Sequence, residues 1–244
     1  MNRTKFLLPE VYVKVLLQLG YLLIISQLIR VAFLGIHFQY FSVDSLADYF
    51  EIFYYSLRFD LSSIVTVNFL YLALTLCPAI KLGSTIVRRV LAFLFVISNA
   101  VAFIFDIADI GYYPYVRRRM TAEVFHLIGK KSDFLDLLPN YLIKFWYVSI
   151  LIVLLIAILF FISKRIAKVG NYQVLTFSNM VLYLLCMGGA VVAVRGGLQL
   201  RPITISNAVV IDQSENIPLI INTPFSILKT LESEKLEDLN FFTN

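Results

Sequence analysis

Cysteine and histidine are nearly missing from this chain, with two of each in 244 residues. Cys77 and Cys186 both fall inside apolar runs, which excludes a disulfide framework and reads as small buried side chains. His37 and His126 stand alone, with no second histidine or cysteine at ligand spacing, so no protein metal site is expected in this chain. His126, between Phe125 and Leu127, reads as an interface residue. Charge is scarce as well, at 15% of residues. The net +5 is scattered over short loops and builds no basic face interleaved with aromatics, which excludes a nucleic-acid partner. There is no Gly-rich nucleotide loop, no low-complexity tract and no fixed repeat. Ser62-Ser63 has no histidine nearby in sequence, which speaks against nucleophilic catalysis there. No catalytic residue is assigned.

What the chain has is apolar length. It is 59% hydrophobic with a mean hydropathy of +0.81, against about 45–50% apolar residues in soluble domains. Five segments reach the ~20 residues needed to cross a bilayer: 11–36, 57–80, 87–105, 142–162 and 174–194. The expected fold is an all-α integral membrane protein with five transmembrane helices over residues 1–194. The N-terminal run follows Arg3 and Lys5 but is too long for a signal peptide and lacks a cleavage site, so it is expected to stay as a helix.

Basic residues fix the orientation. Lys81, Arg88 and Arg89, then Lys164, Arg165 and Lys168, fall on the same side as Arg3, Lys5 and Lys14. The positive-inside rule therefore puts the N-terminus in the cytoplasm and the C-terminus outside. Arg117-Arg118-Arg119 is the exception, an arginine run on the outer side. Residues 121–139 are expected to form two short interfacial helices, begun by Thr121 and Ser132 and ended by Gly129 and Pro139. Residues 195–244 read as an extracytoplasmic connector lying on the outer surface. Within it, 207–211 and 217–221 are candidates for a short strand or extended piece, and Pro224 is placed to start a helix.

In this topology the embedded charges gather at the outer interface. Arg30, Arg58, Asp60, Asp106, Asp109 and Arg195 all lie at outer helix ends. Asp106 and Asp109 share a face, with Asn99 two turns below, and Asp60 shares one with Asn68. Arg58 and Asp60 are two apart and must find partners on other elements. Two readings fit. One is salt bridging between helices with snorkelling. The other is a site for an anionic lipid headgroup or a docked domain, made of Arg58, Asp60, Asp106, Asp109, Arg195, Gly196, Gly197, Gln199 and Arg201. In that site arginine forks meet phosphate oxygens and Gly196-Gly197 offers backbone N–H groups.

Several stretches carry a family resemblance. They are Leu57-Arg58-Phe59-Asp60-Leu61-Ser62, the aromatic and arginine-rich run 112–125, Asp133-Phe134 with Leu137-Leu138-Pro139, the run Arg195-Gly196-Gly197-Leu198-Gln199-Leu200-Arg201-Pro202, and Asn222-Thr223-Pro224-Phe225-Ser226. Together they resemble the lipoteichoic-acid-synthase-like membrane proteins of the sulfatase superfamily. The resemblance implies a five-helix membrane domain joined to an extracytoplasmic alkaline-phosphatase-like domain, which transfers a phosphoglycerol-type group from a membrane phospholipid. It also implies that the threonine nucleophile and a divalent metal such as manganese belong to that second domain, which would follow residue 244. On this expectation the chain is a fragment or split-gene product, inactive alone, acting as membrane anchor and headgroup-presenting domain. Two other readings remain open: a small transporter or channel subunit, and the membrane domain of a phosphoethanolamine-transferase relative.

Overall fold

A computed structural model describes residues 10–80, 82–125, 146–166, 175–209 and 214–234. Among these the chain is helical throughout and contains no strand. The α-helices are α1 Glu10–His37, α2 Leu46–Val67, α3 Phe69–Leu76, α4 Thr85–Val116, α5 Trp146–Ile166, α6 Phe177–Val194, α7 Ile217–Ile220 and α8 Thr223–Glu234. Four stretches are long and apolar enough to cross a membrane, and a fifth is if α2 and α3 count as one bent span. The core runs between α1, α2 and α4, with Leu22, Phe33, Phe59 and Phe95 among its fully buried side chains.

The second expected segment differs from the helix observed. It begins eleven residues early, because Ser45 and Asp48 form a capping box. The Ser45 hydroxyl accepts from the Asp48 N–H at 3.1 Å, and the Asp48 carboxylate accepts from the Ser45 N–H at 3.0 Å. The span then breaks at Asn68, where α2 and α3 meet at 64°. The Asn68 side chain donates to the Ile64 carbonyl and exchanges two hydrogen bonds with Asn99, at 2.9 and 2.8 Å. A buried amide pair thus ties the bend to α4 and takes up backbone valence freed by the break.

The third segment also runs on. Asp106 and Asp109 do not close it. α4 continues to Val116, and Arg117 ends it in the left-handed conformation with φ 59°. Carboxylates inside an apolar helix are tolerated only with partners, and here they have them.

The tail is the main correction. Residues 205–208 form a 3₁₀ turn in which Thr204 and Asn207 cap one another, while 210–211 lie outside the described residues. Ile217–Ile220 is a helical turn with Pro218 in its first positions, where proline is favoured and a sheet would reject it. α8 begins at Thr223, beside the expected Pro224. Nor is this segment a loose connector. Leu219 to Ile227 is buried and hydrogen-bonded to α1, α2 and α4. Of the two expected interfacial helices, only 121–125 is described, as a turn followed by a short helical piece; 126–139 lie outside the described residues.

Candidate functional site

Five charged side chains, all buried, converge where the tail enters the helices: Arg30, Asp60, Asp106, Asp109 and Arg119. Arg30 on α1 and Asp60 on α2 form a fork, with Nη1 and Nη2 each donating at 2.7 Å to a separate carboxylate oxygen. Gln27, one turn before Arg30, donates to Asp60 at 2.7 Å and accepts from Arg30 at 2.9 Å. The remaining arginine donors turn to the tail, where Nε meets the Leu219 carbonyl and Nη2 the Ile220 carbonyl. These are carbonyls at the end of α7, which its own turn leaves unbonded.

Arg119 does the same from the other side. It pairs with Asp109 at 3.0 Å and lies 3.9 Å from Asp106. Its Nε donates to the Pro218 carbonyl at 2.7 Å, and its guanidinium stacks 3.7 Å over the Phe33 ring. The Met120 N–H donates to the second Asp109 oxygen at 3.1 Å. Two arginines thus hold three successive tail carbonyls.

The tail replies with Asn222 and Thr223. The Asn222 amide nitrogen donates to Asp60 at 2.6 Å and to Ser63 at 2.8 Å. Its oxygen accepts from the Phe225 N–H at 2.8 Å, capping α8. The Thr223 N–H donates to Asp106 at 3.1 Å, and its hydroxyl donates to Asp109 at 2.9 Å. Two arginines against three aspartates leave one negative charge over. The N-terminus of α8 points at that surplus and carries about half a positive charge. Asn222 therefore joins α8 to the cluster electrically as well as sterically.

A second constellation lies on the opposite side of α2. Arg58, two residues from Asp60, faces away from the clamp. Its Nε donates to the Gly196 carbonyl and its Nη2 to the Gln199 side chain. Gly196 and Gly197 close α6 in a Schellman motif. The Gly196 N–H donates to Ala193 O at 2.9 Å and the Gly197 N–H to Val192 O at 3.0 Å. Both N–H groups are therefore occupied, and the phosphate cradle expected there is replaced by a helix cap. Gly196 has φ +73°, and a Cβ on it would lie 2.6 Å from the Ile203 side chain. The Arg195 fork bends back to the Gln199 and Leu200 carbonyls, at 3.2 and 2.8 Å. Arg201 is exposed.

The predicted residues therefore divide into two groups. Asp60, Asp106 and Asp109 come together in the clamp. Arg58, Arg195, Gly196, Gly197 and Gln199 come together in the loop, with Arg201 at its rim. Reasoning from sequence assigned no site role to Gln27, Arg119, Asn222 and Thr223. Arg119 carried a signal, since an arginine run on the side expected to be outer runs against the charge rule. Asn222-Thr223-Pro224 carried another, the N-cap pattern of a helix start.

The clamp carboxylates do not suit a divalent metal, because arginine and amide donors already take their oxygens. Among the described residues no group of three His, Cys, Asp or Glu is arranged to hold one. Beneath the clamp lies a cavity of about 10 Å³ lined by Ser26, Ser63, Asn99 and Asn222, room for one water at most. No family model, no curated protein and no solved structure matches the chain.

Proposed function

We propose that this chain is the membrane domain of a phosphoglycerol-transferase-like enzyme. In this reading the N-terminus is cytoplasmic and the tail extracytoplasmic, and the domain positions an alkaline-phosphatase-like domain over the headgroups of an anionic phospholipid. The observation that carries the reading is the clamped tail. A loose tether has no use for five buried charges. A tail bonded at Pro218, Leu219, Ile220, Asn222 and Thr223 has a fixed exit path for α8. The apolar helices support a multi-pass membrane protein, and the basic short loops support the orientation.

The nucleophile and the metal of such a reaction belong to the second domain, whether on a following segment or a separate chain. This chain's residues hold that domain in register with the membrane surface. Among the described residues the bend at Asn68 favours a transporter, since broken helices line many transport sites. The valences at that bend are met by Asn99, and the small cavity beside it, lined by Ile64, Val67 and Phe103 as well as by Ser26 and Asn99, has room for a single water at most.

The test is reconstitution. The chain with an alkaline-phosphatase-like domain fused after Asn244 is placed in vesicles with manganese and labelled phosphatidylglycerol or phosphatidylethanolamine. The expected result is diacylglycerol release from phosphatidylglycerol at least about tenfold above the free domain, on the order of 1.4 kcal/mol in barrier, and none from the chain alone. Equal release with and without the membrane chain would overturn the positioning role. Release from phosphatidylethanolamine alone would reassign the donor.

A further inference from the structure

Leu198 and Leu200 are 89% and 98% exposed, and their loop is bonded so that neither can fold inward. The Schellman cap fixes Gly196 and Gly197. Arg58 holds the Gly196 carbonyl and the Gln199 side chain. Arg195 holds the Gln199 and Leu200 carbonyls. Gln199 donates back to the Arg195 carbonyl at 3.1 Å, and the Ile203 N–H reaches the same oxygen at 2.9 Å. A loop braced this closely presents its two leucines; it does not merely fail to bury them.

The level of the loop is set by its neighbours. The Ser62 hydroxyl donates to the Val194 carbonyl at 2.7 Å, pinning the end of α6 beside α2. The 18 residues of α6 rise about 27 Å at 1.5 Å per residue, close to the ~30 Å hydrocarbon core. If α6 crosses the membrane, the loop begins where the acyl chains end. The surrounding surface suits that depth. Tyr54, one turn from Arg58 on α2, is exposed, as are Leu57 and Leu61, giving the aromatic and aliphatic side chains typical of a membrane boundary. Charge agrees as well. Residues 195–211 contain two arginines and no Asp or Glu, and Arg201 makes no ion pair with a described residue.

We infer that residues 198–201 form a lipid anchor. Leu198 and Leu200 insert at the boundary of headgroup and acyl chain, and Arg201 pairs with the phosphate of an anionic phospholipid. The partner is the bilayer surface itself, at the leaflet where α6 ends. The inference rests on the reading of α6 as a membrane span and not on any reaction, so loss of the enzymatic reading would leave it standing.

The experiment places a reporter on the loop. Trp146, the only tryptophan, is replaced by Phe, and Leu200 becomes the single site as Leu200→Trp. Leu200 is almost fully exposed, so the fold tolerates the change. The 244-residue chain is reconstituted in phosphatidylcholine vesicles with or without phosphatidylglycerol, carrying bromines near the headgroup end or the methyl end of the acyl chains. The expected result is at least twofold stronger quenching by the shallow bromines than by the deep ones, with protection from aqueous iodide. Phosphatidylglycerol should deepen the quenching, and Arg201→Gln should abolish that increment. Strong iodide quenching with none from bromine would place the loop in water and overturn the inference. Protection from both quenchers would place it against a protein and overturn it equally. An undiminished phosphatidylglycerol effect in Arg201→Gln would overturn the phosphate pairing.

Discussion

His37 on α1 fills a valence that Pro114 leaves open on α4. Proline has no N–H, so the Ile110 carbonyl four residues back has no helical partner; His37 Nε2 lies 2.8 Å from that oxygen. The imidazole donates from Nε2, which fixes its tautomer. Its ring packs edge-on to Phe33 with centroids 5.0 Å apart. One helix thus corrects a defect in another, just above the clamp.

Replacing His37 by Ala should strand the Ile110 carbonyl and cost about 1–3 kcal/mol. Pro114→Ala restores the intrahelical donor and should recover a measurable part of that loss. The check is thermal unfolding in detergent of both single variants and the pair. Strict additivity would mean that the two residues act separately.

Asp60→Asn should destabilise by about 3–5 kcal/mol, because it leaves Arg30 charged and buried without its counterion. Arg30→Met combined with Asp60→Leu removes both charges and should lose less than Asp60→Asn alone. The measurement is a double-mutant cycle by chemical denaturation in micelles. A loss in the double variant equal to the sum of the Arg30→Met and Asp60→Leu losses would deny the coupling.

At Asn222 the sign of the substituent decides. Asn222→Ala removes the cap of α8 and two clamp bonds. Asn222→Asp keeps the cap oxygen but sets a fourth carboxylate against Asp60, and should be the worse of the two. Limited proteolysis should cut both variants beyond residue 214 before any cut in α1–α6, with Asn222→Asp cut faster. The reverse order would mean that capping outweighs charge.

Gly196→Ala must accept a left-handed φ, about 1–2 kcal/mol for an L-residue, and a clash with Ile203. Ile203→Ala should relieve the clash and not the φ cost. Hydrogen exchange over 195–205 should therefore quicken in Gly196→Ala and be only partly restored in the pair.

Topology is open to direct measurement. Reporter fusions after Lys168 and after Asn244 should report opposite sides of the membrane, the first cytoplasmic. Cytoplasmic signal from both would break the five-span arrangement.

The sequence spoke clearly where hydrophobicity alone decides. Helical class and the apolar segments follow from run length, and Asp60, Asp106 and Asp109 were visible as charges that an apolar helix must partner. Helix ends were less legible. Ser45 and Asp48 announce α2, yet the aromatic stretch after them is less apolar than a membrane run and reads as loop. The tail misled for a different reason. Ile-rich pieces such as 217–221 favour strands by their side chains, while Pro218 and the tertiary partners Arg30 and Arg119 favour the helical turn found there. Gly196-Gly197 resembled an anion cradle because a helix cap and a phosphate nest use the same glycines.

The clamp also imposes an order of events. Arg30 leaves the ribosome 189 residues ahead of the Leu219 carbonyl it holds, and Asp60 precedes Asn222 by 162. Through most of synthesis the upper end of the helices lacks its final donors and acceptors. The emerging tail is what seals it. The helices come first and their locking second, so the latch shuts only when the helical part is already whole.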